Sequence, residues 1–88
     1  MATTNMLGDI VKQLESKDHK IRFVGEYRLI HQKAEALDIM IDNYYDNKLG
    51  FVPTTPIAVL EAQSNAMWAY LKILEYRADL ELVDLPRS

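Results

Sequence analysis

The sequence contains no cysteine, three glycines and three prolines, and no apolar run of the roughly 20 residues that a membrane span requires. Without cysteine the chain can form neither disulfides nor thiolate metal sites, and its two histidines have no acidic ligand cluster near them. The N-terminus lacks the basic flank and apolar core of a secretory signal. These absences predict a cytoplasmic protein without a metal, a cofactor or a membrane partner.

Residue patterns typical of catalysis are equally scarce. No serine or threonine stands beside an acid–histidine pair, and the sequence has no glycine-rich phosphate loop. The acidic pairs Asp38/Asp42 and Asp42/Asp46 have the spacing of one outer helical face, where solvated carboxylates are ordinary. We therefore expect no catalytic residues and a protein that is not an enzyme.

Apolar residues, by contrast, recur with helical periodicity throughout the chain. Its 88 residues suit one domain, residues 1–88, and predict an all-α fold with helices at about residues 4–16, 19–46 and 56–83. The first helix is short and amphipathic, and the other two form a long antiparallel hairpin because each carries an apolar seam. The seams are Phe23, Tyr27, Ile30, Ala34, Leu37, Ile41 and Tyr44 on helix two, and Ile57, Leu60, Met67, Leu71, Leu74 and Ala78, interrupted by Ser64, on helix three.

Cap residues mark the helix ends in the sequence. Asp18 is the expected N-cap of helix two, because its side chain can accept a hydrogen bond from an unpaired backbone N–H. Asn47 or Gly50 can take the left-handed conformation that commonly follows a helix. Thr55 followed by Pro56 predicts a hydroxyl cap with proline at the first position of helix three.

Helix three carries more apolar surface than one neighbouring helix can cover. In one interpretation the N-terminal helix covers the excess and the chain is a three-helix monomer. In the other a second copy covers it, and we favour such a homo-oligomer because a chain this short cannot enclose so much apolar area. The second stripe consists of Val59, Ala62, Ala66, Tyr70, Ile73 and Leu80.

Charge is unevenly distributed in a chain whose net charge is −3. Residues 12–33 hold six basic and three acidic side chains, a balance that suits a small anion but not duplex nucleic acid. Lys20 and Arg22 lie at the start of helix two, where the helix dipole also favours an anion, and Arg28 and His31 share a face further along. The alternative is a solvated basic end that neighbouring acidic side chains neutralise.

Trp68 is the single tryptophan and has polar neighbours along helix three. A tryptophan in such a place anchors a partner or stacks on a ring. Alternatively, the N-terminal helix or the Phe51-Val52 connector covers it.

Two stretches of the hairpin resemble a known family. The first is Glu26-Tyr27-x-x-Ile30, and the second is Leu60-x-x-Gln63-x-x-Ala66-Met67-x-x-Tyr70-Leu71-x-Ile73-Leu74-x-x-Arg77. Over about residues 22–80 they resemble a widespread family of small phage proteins related to a crAss-like-phage protein. Helical periodicity alone does not require Gln63 or Arg77, so these two residues make the resemblance more specific.

The order of a short helix and a long hairpin is also similar to phage proteins that defeat CBASS and Thoeris immunity. Those proteins sequester cyclic nucleotides as oligomeric sponges, and Met67-Trp68-Ala69 resembles part of their second long helix. Their aromatic–His–Pro entry segment has no counterpart in residues 1–20. The resemblance implies a phage counter-defence protein that binds a cyclic oligonucleotide, or another small anionic nucleotide, in the host cytoplasm without catalysis.

A second hypothesis is a non-catalytic interaction module, a phage inhibitor or adaptor that docks helix three on a host protein; a third is a virion accessory protein. Under the first hypothesis the ligand would lie at a subunit junction. The expected ligand-binding residues are Lys20, Arg22 and Arg28 for phosphates, Tyr27 or Trp68 for stacking on a base, and His31 or Gln63 for its polar edges.

Overall fold

The computed structural model describes residues 2–86, with side chains from residue 6 onward. In this range it contains the helices α1 (Ala2–Leu14), α2 (His19–Tyr45) and α3 (Ile57–Glu81). The predicted all-α class is confirmed, while α1 lies two residues earlier than expected at both ends. None of the three described helices combines the length and the apolar content needed to cross a bilayer.

The apolar seams of α2 and α3 meet to form the core of the hairpin. Leu71, Leu74 and Ala78 on α3 are almost fully buried against Phe23 and Ala34 on α2. Burying a leucine or phenylalanine side chain contributes about 1.5–3 kcal/mol, so these contacts outweigh the weak propensities of single residues. The seam pattern therefore fixes which faces of the two helices meet.

Polar bonds across the hairpin set its antiparallel register. Tyr27 Oη donates to Glu75 Oε2 at 2.8 Å, and Tyr45 Oη donates to Glu61 Oε1 at 3.0 Å. Ser64, the polar interruption of the α3 seam, is buried. Its hydroxyl donates to Asp38 on α2, so this buried polar group has a hydrogen-bond partner within the interface.

The helix ends follow the cap predictions in part. Asp18 is the N-cap of α2, and its Oδ1 accepts from the Lys20 backbone N–H at 2.8 Å, as predicted. Asn47 takes the left-handed conformation after α2, with φ of 57°. The predicted Thr55 cap is wrong, because Pro56 is the N-cap of α3 and no side chain of the described residues caps this helix through a hydrogen bond.

Helix α1 packs on α2 and, within the described residues, does not contact α3. The closest approach is at Gly25, where an added Cβ would lie 2.9 Å from the Cβ of Gln13. The absence of a side chain at this position lets the two helices come together.

The C-terminal residues 82–86 lie along α2 beside α1. Leu82 is left-handed, with φ of 57° and ψ of 48°, and this conformation ends α3 two residues before the predicted boundary. The reversal buries Val83 and packs Leu85 against the hairpin core. Tertiary burial rather than the following proline therefore stops the helix.

The second apolar stripe of α3 remains uncovered in the single chain. Val59, Ile73 and Leu80 are 54, 56 and 70% exposed, respectively. Within the described residues α1 packs on α2 and makes no contact with α3, so it does not cover this stripe as the interpretation of a three-helix monomer expected.

Candidate anion-binding site

The three residues predicted to bind phosphate each donate a hydrogen bond to a neutral group. Within the described residues no carboxylate forms an ion pair with any of them, so their positive charge is available to an external anion. The bonds are Lys20 Nζ to the Leu82 carbonyl at 3.2 Å, Arg22 Nη1 to the Ser16 carbonyl at 2.9 Å and Arg28 Nη1 to Gln13 Oε1 at 2.8 Å.

The acidic residues expected to neutralise this end have other roles. Asp18 caps α2 through its side chain, and Glu26 accepts a hydrogen bond from the Tyr70 hydroxyl. The alternative in which Arg22 is paired to either carboxylate is therefore wrong. Asp18 caps α2 and Glu26 bonds across the hairpin, so neither forms an ion pair with Arg22.

Arg28 lines a cavity of about 250 Å³ between α1, α2 and the C-terminal residues. Its side chain is half-buried, and the amide of Gln13 holds one end of the guanidinium. The cavity therefore offers a partly desolvated cation that no carboxylate of the described chain has neutralised. We call this space the Arg28 cavity; its lining consists of Met6, Tyr27, Arg28, His31, Gln32, Glu35 and Pro86.

Aromatic rings form one wall of the Arg28 cavity. The His31 ring stacks on Tyr27 with centroids 5.8 Å apart and meets the edge of Trp68 at 5.5 Å. Its Nδ1 lies 2.9 Å from Glu35 Oε1 in the next turn. Tyr27 is only 4% exposed, so it supports His31 from the core rather than presenting a free ring face in this chain.

Trp68 belongs to the interface of the hairpin. Its indole N–H donates to Asp38 Oδ2 at 2.8 Å, and Ser64 Oγ donates to the other oxygen of the same carboxylate. The prediction that Asp38 lies on an outer, solvated face is therefore wrong. Within the described residues α1 makes no contact with α3, and Phe51 and Val52 in the connector are 60 and 91% exposed, so neither segment covers the indole.

The remaining predicted residues lie apart from the Arg28 cavity. Lys20 lines a neighbouring cavity of about 270 Å³ formed with Gln13 and residues 82–84. Gln63 is exposed beside Ser64, whose bond to Asp38 places it about 24 Å along α2 from Arg22. The structure thus brings Tyr27, Arg28, His31 and Trp68 together and leaves Gln63 far from the basic end.

Sequence reasoning missed several residues of this region. Gln13 and Gln32 provide the amides around Arg28, and Arg77 lies with Arg22 at another cavity. The glycine at position 25 was the sequence feature that could have pointed to Gln13, because a small residue on a helix face permits a neighbouring helix to approach closely. Arg77 stood out in the family pattern without a role assigned to it.

Comparison with protein families bears on this arrangement directly. A model of the Sequestin family matches residues 17–80, which include all of α2 and nearly all of α3. The chain belongs to the Sequestin family. The family's name describes sequestration, and so binding rather than conversion of a ligand. In this Sequestin the Arg28 cavity opens on the matched hairpin, while α1 supplies a wall from outside the match. Comparisons with curated proteins and with solved structures give no match.

Proposed function

We propose that this Sequestin is a phage counter-defence protein that sequesters a cyclic-nucleotide immune signal without catalysis. Membership of the family supports retention of a ligand, and the resemblance to phage sponges supports a cyclic nucleotide as that ligand. The single observation that carries the proposal is the state of Arg28, which is half-buried, lines a cavity and has an amide as its partner.

A phosphate group suits the polar side of the Arg28 cavity. A guanidinium offers several N–H donors in one plane and binds phosphate oxygens in pairs, and burial strengthens this attraction. Gln13 occupies one terminal nitrogen and so orients the rest of the guanidinium. Gln32 provides a further amide at the same cavity.

The aromatic wall suits a nucleobase. His31 is held between Tyr27 and Trp68, so its ring is fixed in place beside the arginine. A base would stack on this wall while its phosphate contacts Arg28. Trp68 then supports the His31 ring from behind, and because its side chain is only half-buried, a ligand or a second copy would be able to contact it directly.

A second copy would complete the binding site. The cavity of about 250 Å³ is smaller than the roughly 300–1,000 Å³ pockets that enclose drug-sized ligands, so one chain encloses only part of a cyclic nucleotide. The exposed stripe of α3 provides apolar area for self-association. We therefore propose a homo-oligomer in which the ligand lies at a junction between chains.

Isothermal titration against a panel of cyclic di- and trinucleotides tests the proposal. We expect at least one ligand to bind, and Arg28→Gln to weaken its binding more than tenfold. Lys33→Gln is the matched control, because it removes the same charge from an exposed site on α2 and should change affinity less than twofold. Absence of heat with every member of the panel, at tens of micromolar protein, would rule the proposal out.

The oligomer is tested separately by sedimentation. Ile73→Glu places a charge in the exposed stripe and should dissociate the assembly, whereas Val52→Glu adds the same charge at the fully exposed connector and should not. A monomeric parent protein would contradict the oligomer without excluding a weak nucleotide site.

The same stripe favours a second candidate function, a helical module that docks on a host protein. An ultraviolet-absorbing ligand retained through purification, seen as a raised 260-to-280 nm ratio, supports sequestration. A clean protein spectrum together with a stoichiometric host partner, which Ile73→Glu removes, supports the docking module.

A further inference from the structure

A second cavity of about 420 Å³ lies where the start of α2 meets the end of α3, away from the Arg28 cavity. It contains two arginines, one from each helix, together with a histidine and a buried phenylalanine. We call it the Arg22 cavity; its lining residues are Leu14, His19, Arg22, Phe23, Glu26 and Arg77.

Both arginines of the Arg22 cavity are held in place and keep unused donors. Arg77 lies over the Phe23 ring at 5.0 Å, and only its Nε is hydrogen-bonded within the described residues, to Glu81 at 3.0 Å. Arg22 donates one terminal nitrogen to the Ser16 carbonyl. The terminal nitrogens of Arg77 and the rest of the Arg22 guanidinium therefore remain available to an anion at the cavity.

Glu81 already contacts two of the basic side chains at the Arg22 cavity. Its Oε1 lies 3.0 Å from His19 Nε2 and its Oε2 lies 3.0 Å from Arg77 Nε, so one carboxylate bridges the two helices. A carboxylate with two oxygens on two such donors makes the contacts that two oxygens of a phosphate group would make. Glu26, the other acid of the cavity, is bonded to the Tyr70 hydroxyl.

We propose that the Arg22 cavity is a second anion site, for a terminal phosphate or pyrophosphate group, and that Glu81 competes with the ligand for Arg77. Two arginines suit a group that carries two charges better than a phosphodiester, which carries one. With Glu81 in place, the negative charges of Glu26 and Glu81 offset the positive charges of Arg22 and Arg77. The free protein therefore holds the ligand weakly. This site is independent of the Arg28 cavity and of the function proposed for it.

Titration of the full chain with inorganic pyrophosphate at low salt tests the inference, because screening at high salt weakens such exposed charges. We expect Glu81→Gln to tighten binding about five- to tenfold and Arg77→Gln to weaken it by a similar factor. Asp42→Asn is the matched control for Glu81→Gln: it removes one negative charge from an exposed site in the other half of the hairpin. Equal effects of Glu81→Gln and Asp42→Asn would overturn the inference, as would undetectable binding to both the parent and Glu81→Gln.

A nuclear magnetic resonance titration locates the ligand. Pyrophosphate should shift the Phe23 ring protons and the Arg77 Nε–H resonance, and these shifts should persist in Arg28→Gln. Loss of pyrophosphate binding in Arg28→Gln would place the ligand in the other cavity and overturn this inference alone. Conversely, failure of every cyclic nucleotide to bind, with pyrophosphate shifts at Phe23 retained, would remove the proposed function and leave the Arg22 site standing.

Discussion

A Cβ atom on Gly25 would lie 2.9 Å from the Cβ of Gln13 and 3.1 Å from the backbone nitrogen of Leu14. The first distance is shorter than packed side chains tolerate, so this glycine sets how closely α1 approaches α2. Gln13 also holds Arg28 through its side-chain amide. The position of Arg28, the candidate phosphate-binding residue, therefore depends on the glycine at which α1 crosses α2.

Gly25→Ala should displace α1. Alanine favours the helix by about 1 kcal/mol over glycine, but the clash involves a Cβ and backbone atoms that cannot rotate away. Overpacking of this kind costs about 1–3 kcal/mol, so we expect a net loss of about 1 kcal/mol in the free energy of unfolding. Chemical denaturation measures it, and amide exchange in α1 should accelerate.

Gly8→Ala is the control for this substitution. It changes glycine to alanine in the interior of α1, where an added Cβ meets no described atom within 4 Å, so it should stabilise the protein by up to about 1 kcal/mol. If both substitutions stabilised the protein equally, the close crossing at Gly25 would not constrain α1.

Asp38→Ala should destabilise the hairpin. The substitution leaves the Trp68 indole N–H and the Ser64 hydroxyl without their shared acceptor, and an unsatisfied buried polar group costs about 1–3 kcal/mol. We expect a lower midpoint of thermal unfolding and a red shift of the tryptophan emission as water reaches the indole. Asp42→Ala, one turn away on an exposed site, should leave both unchanged.

Tyr70 should make stability fall at high pH. Its hydrogen bond to Glu26, followed by partial burial and the repulsion of the carboxylate, raises the pKa of the Tyr70 hydroxyl above its ordinary value. Because the folded-state pKa exceeds the unfolded one, this contribution is complete below pH 10 and is lost as pH rises through the folded pKa. Tyr70→Phe should therefore reduce the alkaline loss of stability, measured by urea unfolding between pH 9 and about 11.

The neutral-pH effect of Tyr70→Phe should be at most about 1 kcal/mol, because the side chain is 36% exposed and solvent screens the interaction. Tyr76→Phe is the control: this tyrosine is 69% exposed and its hydroxyl makes no hydrogen bond within the described residues. An unchanged alkaline slope in Tyr70→Phe would contradict the assignment to the Glu26 bond.

Leu82→Gly should stabilise the protein. Leu82 is left-handed, a conformation that costs a non-glycine residue about 1–2 kcal/mol, and its side chain is 81% exposed and contributes little packing. After the entropy that glycine loses, we expect a net gain of about 0.5–1 kcal/mol in the free energy of unfolding. Ala69→Gly, at an exposed helical position, should instead cost about 1 kcal/mol. Destabilisation of the same size in both would show that the left-handed conformation is not retained in solution.

Periodicity predicted the helices well because seam residues are local in sequence and bury one face of each helix. It did not predict the contact between Asp38 and Trp68, because each lies on a helix face just outside the apolar seam. A polar residue at the edge of a seam can point to solvent or to a partner on the facing helix, and spacing along one helix does not distinguish the two. Ser64 was the available signal, since a polar residue inside a seam requires a partner.

The amino-acid pattern by itself determined the all-α class, the hairpin and the cap at Asp18, because each depends on residues within a few turns of one another. Tertiary structure decided which cations keep their charge available: Glu26 pairs with Tyr70, Arg28 with Gln13, and Glu81 with Arg77 and His19. Apart from Arg77–Glu81, these partners are at least 15 residues apart in the chain, so only the packing of the helices brings them together. The physical reason is that electrostatic pairing depends on distance in space, which a one-dimensional pattern does not contain.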